Sequence, residues 1–200
     1  MAEKFNFEAL LEVEDDRPFR ERLVEEIMKN FAGRLPPPEK VLRLNCRTLV
    51  SVQAGWTASD ALRATELSDD EILFIYFGQP NAKKKDSSVL SISKNYQTYV
   101  YAVSIPILEI IGHSNEISHL MMCLFSSVAT LDKKCVVVAG PELEIVGAVL
   151  SLNDLIDSLH EVGSLVEWIS CREENVANIA GFYLVERRGN IFVMKRQVPS

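Results

Sequence analysis

The chain has 200 residues, with 48% hydrophobic and 24% charged residues, a composition that excludes global disorder and supports a real core. Twenty-one Lys and Arg stand against 28 Asp and Glu, so the net charge is -7. This balance excludes a protein that coats nucleic acid or an anionic membrane through bulk charge.

Met1 to Glu14 is acidic and has no apolar run, so it does not read as a signal peptide. No apolar stretch reaches a spanning length. Cys46, Cys123, Cys135 and Cys171 are widely spaced and form no C-x-x-C pair. They read as reduced thiols acting as small core residues in a cytoplasmic protein.

Phe5 to Gly33 reads as an amphipathic helix with a break at Arg17-Pro18, carried by Leu23, Val24, Ile27, Met28 and Phe31. Leu35-Pro36-Pro37-Pro38 follows as a stiff connector, which bounds an N-terminal helical segment at 1–35. Leu49 to Val52 alternates as a strand, and Thr57 to Leu67 is a short capped helix. Ile72 to Phe77 is continuously apolar, which predicts a strand buried on both faces. Gly78 to Asn95, with Lys83-Lys84-Lys85, reads as a loop containing a small strand at Val89 to Ile92.

Tyr99 to Val103 predicts a strand, Ile105 to Ile111 a helix, and Ile117 to Leu131 a buried helix. Cys135 to Val138 and Ile145 to Leu150 are strands around a turn at Gly140-Pro141-Glu142, and Leu152 to Val162 is a helix. A strand near Val166 to Ser170 precedes a hairpin of Phe182–Val185 and Ile191–Met194, with its turn at Arg187 to Asn190.

Ala102 to His113 and Val149 to His160 can be overlaid, with Ser104 on Ser151, Leu108 on Leu155 and His113 on His160. Each copy reads as a strand ending at a hydroxyl that caps an apolar helix. With Val146-Gly147-Ala148-Val149-Leu150-Ser151-Leu152-Asn153-Asp154, and with Leu49 to Gln53 followed by Thr57 to Leu62, the pattern resembles a divergent pair of cystathionine-beta-synthase (CBS) domains. The resemblance covers roughly Val41 to Val162. It implies a layered α/β (α+β) fold of tandem β-α-β-β-α motifs at 41–113 and 114–165, with a C-terminal strand and hairpin at 166–200 packed on the same unit.

The resemblance also implies a non-enzymatic regulatory or scaffolding module, as a homodimer or docked on a protein partner. Such pairs hold an adenosine-type nucleotide (AMP, ADP or ATP) in the cleft between motifs, as a regulatory ligand rather than a cofactor. The hydroxyl and the Asp three residues later are the expected ligand contacts, which carries over to Ser151 and Asp154. Ser104 keeps the hydroxyl, but Ile107 replaces the acid. The same residues also fit a plain helix cap with a first-turn carboxylate. No metal set is evident.

Two other classes remain open. The acid-rich stretch from Glu8 to Glu26 suits a small acidic interaction factor, such as an inhibitor, immunity protein or chaperone, that neutralises a basic partner. His119 and Cys123, four residues apart on one helix, would share a face and could serve an enzyme if the thiol were activated. His113 and His160 read as helix-terminal cations.

Overall fold

The structure, a computed structural model, describes residues 4–31, 38–53, 58–77, 88–96, 98–107, 110, 112–132, 134–143, 155, 166–172, 179 and 181–197. The elements in chain order are β1 (Lys4–Glu12), α1 (Arg17–Asn30), β2 (Pro38–Asn45), β3 (Val50–Gln53), α2 (Ala58–Ala64), β4 (Glu71–Phe77) and β5 (Val89–Asn95). There follow β6 (Thr98–Pro106), α3 (Ser114–Val128), β7 (Val136–Pro141), β8 (Trp168–Arg172), β9 (Phe182–Arg188) and β10 (Ile191–Arg196). Among the described residues the strands form one ten-stranded sheet in the order β3-β2-β4-β5-β6-β1-β7-β8-β10-β9. Every pairing is antiparallel. The layered α+β class therefore holds, with elements from all four sequence segments in or on one sheet.

The first correction concerns the N-terminus, where residues 4–12 are strand and only 17–30 are helix. Phe5, Phe7, Ala9 and Leu11 alternate with Asn6, Glu8 and Leu10, which is the period of a strand. β1 lies between β6 and β7, where Phe7 faces Val103 on one side and Ala139 on the other. Buried on both sides of the sheet, the segment gains a hydrogen-bond ladder that an amphipathic surface helix would not need. Glu8 is 1% exposed.

A second correction falls on Ser104. The strand does not stop at this hydroxyl but runs on to Pro106, pairing Ser104 with Asn6 and Val89. Its two neighbours offer full ladders, so extension wins over a helix at Ile105. Ser104 is a half-buried strand residue and caps no helix. His113 accordingly precedes α3 instead of closing a helix, 3.9 Å from Glu116.

β4 is buried on one face only, through Leu73, Ile75 and Phe77. The small strand expected at Val89 to Ile92 is present and runs on to Asn95 as β5, a full strand between β4 and β6 in place of the expected loop. Its serines at 91 and 93 point away from the helices, while Leu90 and Ile92 enter the core. The predicted terminal hairpin is present, closed at Gly189 with φ +58. Residues 145–150, 152–154 and 156–162, where a strand and a helix are predicted, lie outside the described residues.

Helices α1, α2 and α3 cover one face of the sheet. Leu23, Val24 and Ile27 of α1, Ala61 and Leu62 of α2, and the apolar side of α3 join Phe7, Tyr101, Val103 and Val137 in the larger core. Phe31 meets Phe7 edge to face, with ring centroids 5.6 Å apart. On the other face a smaller cluster joins Leu10, Val100, Val138 and Ile169 to Leu143, Leu155, Val166 and Ile179. No helix among the described residues is long and apolar enough to cross a membrane.

One buried polar cluster joins the helices to the sheet. Asp16 and Arg20 are both 0% exposed and form an ion pair across one turn of α1. Arg20 Nε donates to Asp16 Oδ2 at 2.8 Å, and its Nη1 donates to the Leu62 and Thr65 carbonyls at 3.2 and 2.5 Å. The Tyr101 hydroxyl donates to Asp16 Oδ2 at 2.5 Å. Burial, and then the Asp16 carboxylate, push the Tyr101 hydroxyl well above its ordinary value, so it remains a donor. Burial alone disfavours the Arg20 charge, but its bond to Asp16 and that carboxylate's charge outweigh burial and raise its pKa.

Removing one member strands the others in a dry interior. Arg20→Met is expected to cost about 3–5 kcal/mol in denaturant unfolding, because it leaves a buried carboxylate unpaired. Tyr101→Phe removes one neutral donor and is expected to cost about 1–2 kcal/mol. Equal, small losses for both would contradict this account of the cluster.

Candidate protein interface

The connections at one end of the sheet lie close together because of the register. Asn45 is opposite Glu71, Ile72 opposite Ser93, Asn95 opposite Thr98, and Glu12 opposite Thr98. This brings the β2–β3 turn, the start of β4, the β5–β6 turn and the β1–α1 junction to a common end.

Two large apolar side chains project from it. Leu49 is 78% exposed and Tyr96 is 64% exposed. Both have left-handed backbone, with φ +56 and +53. Their local sequences explain the turns. The Asn45 side chain accepts bonds from Arg47 N and Thr48 N at 3.1 and 3.0 Å, and Leu49 N closes the loop onto Asn45 O at 2.9 Å. Only two residues join Asn95 to Thr98, a loop length that favours Asn or Gly at positive φ. A bulky side chain in this conformation costs about 1–2 kcal/mol per residue.

The Ser68–Asp70 turn ties the two tips together. Tyr96 N donates to Asp69 Oδ1 at 3.0 Å, and Cys46 N donates to Asp70 O at 2.7 Å. Arg47 pairs with Asp70 at 2.8 Å, and Arg43 pairs with Glu71 at 2.6 Å. Beside them, Arg17 bridges Asp15 and Glu66 at 2.9 and 3.3 Å. The Arg17 bond holds the Asp15 carboxyl below its ordinary value, and the Arg43 bond does the same for Glu71.

The outer strands also carry exposed apolar residues: Val50 and Val52 on β3, and Tyr183, Leu184 and Val185 on β9. Both edges are blunted against strand addition. β3 has only 4 residues. β9 has a register shift opposite Val193/Met194 and ends in Arg187 and Arg188. Arg187 lies 4.9 Å from the Phe192 ring, and Lys195 lies 5.0 Å from that of Trp168.

Of the residues tied to nucleotide binding, Ser104 lies in β6, on the sheet face opposite the helices, and Ser151 and Asp154 lie outside the described residues. Lys83-Lys84-Lys85 and His160 also lie outside them. His119 and Cys123 do meet on α3, with Nε2 and Sγ 3.6 Å apart. Burial pushes the Cys123 thiol up, opposite to what a nucleophile needs. Of the four cysteines, Cys135 and Cys171 are buried as expected, Cys123 is half-buried and Cys46 is exposed. The described residues contain no cluster suited to a metal ion. The reading from sequence alone missed Leu49 and Tyr96, because only backbone dihedrals distinguish them from ordinary surface residues.

No family model matches the chain, and no curated protein matches it. Among solved structures, the Pseudomonas aeruginosa T6SS protein PA0821 is similar over 96% of this chain, at 11% identity and a TM-score of 0.45. This chain spans 66% of that neighbour's length. A structure of the toxic C-terminal tip of CdiA from Pseudomonas aeruginosa, in complex with immune protein, is similar over 70% of this chain and 87% of the matched one. There the identity is 12% and the TM-score 0.35. Both TM-scores lie below 0.5 and carry no functional weight.

Two outcomes test the local electrostatics. Cys135 and Cys171, both pushed up to about 12 by burial, should resist iodoacetamide in the native protein at pH 8, while Cys46 reacts first. Fast, selective alkylation of Cys123 would restore the case for an activated thiol. Glu71 has a folded pKa below its ordinary 4.5, so its contribution is present above pH 4.5 and is lost as pH falls through the folded value. The denaturant midpoint should therefore fall below pH 4.5, with a shallower fall in Glu71→Gln.

Proposed function

We propose that the chain is a non-enzymatic protein-interaction factor that neutralises a basic partner protein, in the manner of an inhibitor, immunity protein or chaperone. The observation that carries this reading is the pair of large apolar side chains, Leu49 and Tyr96, held in water at one acid-rich end of the sheet. A scaffold with a net charge of -7 attracts a basic surface over a long range and repels an acidic one. Apolar anchors then supply the short-range affinity that screened charges do not.

This arrangement needs no cofactor and no bound nucleotide. It requires a rigid sheet end, and the bonds from Tyr96 N to Asp69 and from Cys46 N to Asp70 tie the loops together there. Exposed carboxylates speed encounter, while the exclusion of water around the apolar tips slows release.

The full chain, immobilised and exposed to native cytosol, should retain one stoichiometric basic protein at about 0.15 M salt and capture it more slowly near 1 M, where charge screening shortens to about 3 Å. Titration calorimetry with AMP, ADP, ATP and S-adenosylmethionine should give no saturable heat. Saturable nucleotide binding with no captured protein would overturn the reading in favour of a nucleotide-sensing module.

A further inference from the structure

We infer that the sheet end formed by residues 46–49, 68–70 and 95–96 docks a basic protein, with Leu49 and Tyr96 as its apolar anchors. This inference rests on the protein-binding reading above and assigns its surface and partner chemistry.

Two separate properties coincide at both positions. Leu49 and Tyr96 have the highest fractional exposures among the large hydrophobics of the described residues, 78% and 64%. Each also occupies left-handed backbone, where Asn or Gly would fit at lower cost. Folding alone favours a small or polar residue at both tips. The chain instead places a large side chain at each and leaves most of it in water. Of the three non-glycine residues with positive φ among the described residues, these two share one end of the sheet, while the third, Glu142, follows the opposite end of β7.

The spacing suits a single interface. The strand order puts β2, β4 and β5 between or beside the two tips, so they are about three strand spacings apart, roughly 14 Å. Both are bonded to the intervening turn, Tyr96 N to Asp69 Oδ1 at 3.0 Å and Cys46 N to Asp70 O at 2.7 Å. The anchors are thus held at a fixed separation before any partner arrives, which lowers the ordering cost of binding.

Charge selects the occupant. At this end Glu14, Asp15, Glu66, Asp69, Asp70 and Glu71 stand against Arg17, Arg43, Arg47 and Lys94, a net charge of -2. Ion pairs join Arg17 to Asp15 and Glu66, Arg47 to Asp70 and Arg43 to Glu71, and Lys94 stands 5.7 Å from the Tyr99 ring, so the excess that remains is acidic. A second copy would present the same acidic end and the same net charge of -7, which opposes self-association here. A basic protein with a shallow apolar pocket meets both features.

The test places a photo-crosslinking amino acid at position 49, at position 96, and at the control position Lys29, 68% exposed on α1. The full chain is expressed in native cells and irradiated. Positions 49 and 96 should give the same adduct, to a protein of pI above about 9, and Lys29 should not. The double variant Leu49→Asn/Tyr96→Asn should keep or raise the melting temperature while lowering affinity for that adducted protein at least tenfold. An adduct with a second copy, or with an acidic protein, would overturn the proposal. So would unchanged affinity or a lowered melting temperature in the double variant. If the wild-type chain captures a basic protein but positions 49 and 96 do not crosslink to it, this surface is wrong and the protein-binding reading stands. If it captures none, both fall.

Discussion

The buried contact of Asp16 with Arg20 and Tyr101 is the constraint on which the rest of the structure depends. Asp16 occupies the position where a carboxylate would ordinarily cap the free amides of α1, yet its side chain makes no such bond. Its oxygens go to Arg20 and to the Tyr101 hydroxyl instead. Arg20 in turn satisfies carbonyls at the end of α2. One carboxylate thereby fixes the start of α1 to β6 and, through Arg20, to the end of α2. The arrangement is stable only because every member is bonded, since an unpaired charge at zero exposure costs several kcal/mol.

The cluster lies where β1 passes into α1, next in sequence to the carboxylates of Glu14 and Asp15. The tips have their own ties: Tyr96 N bonds to Asp69 and Cys46 N to Asp70, so the turn between them holds the positive-φ backbone of Leu49 and Tyr96. At the β9 edge the pattern differs. Cations stack on aromatic rings and a register shift breaks the ladder, which suits protection from unwanted pairing better than recognition.

Much of the architecture was legible in the residues. The apolar run before Gly140, the buried helix around Leu120 to Val128 and the hairpin closed at Gly189 all follow from period and turn chemistry. Residues 5–11 were drawn into a helix by the helical spacing of Leu23, Val24, Ile27, Met28 and Phe31 further on, although Phe5, Phe7, Ala9 and Leu11 carried the strand period. The lysine-rich stretch at 83–85 drew β5 into a loop that kept only Val89 to Ile92 as strand, and Ser104 looked like a cap until its two neighbouring strands were known. Strand order depends on contacts distant in sequence, and no local pattern places β1 between β6 and β7. Little of the candidate interface was legible: of the acids near it only Glu14 and Asp15 fall in the acid-rich stretch from Glu8 to Glu26, where Glu8 and Asp16 are buried, and a leucine and a tyrosine in turns acquire meaning only with their dihedral angles and exposure.

Hydrogen–deuterium exchange of the full chain, free and with the captured basic protein, tests the central claim most directly. Protection should appear at residues 46–53 and 95–96 and in the turn at 68–70, with α3 and the β9–β10 hairpin unchanged. Protection confined to α3 or to the β9 edge, with the loop end unaffected, would contradict the account.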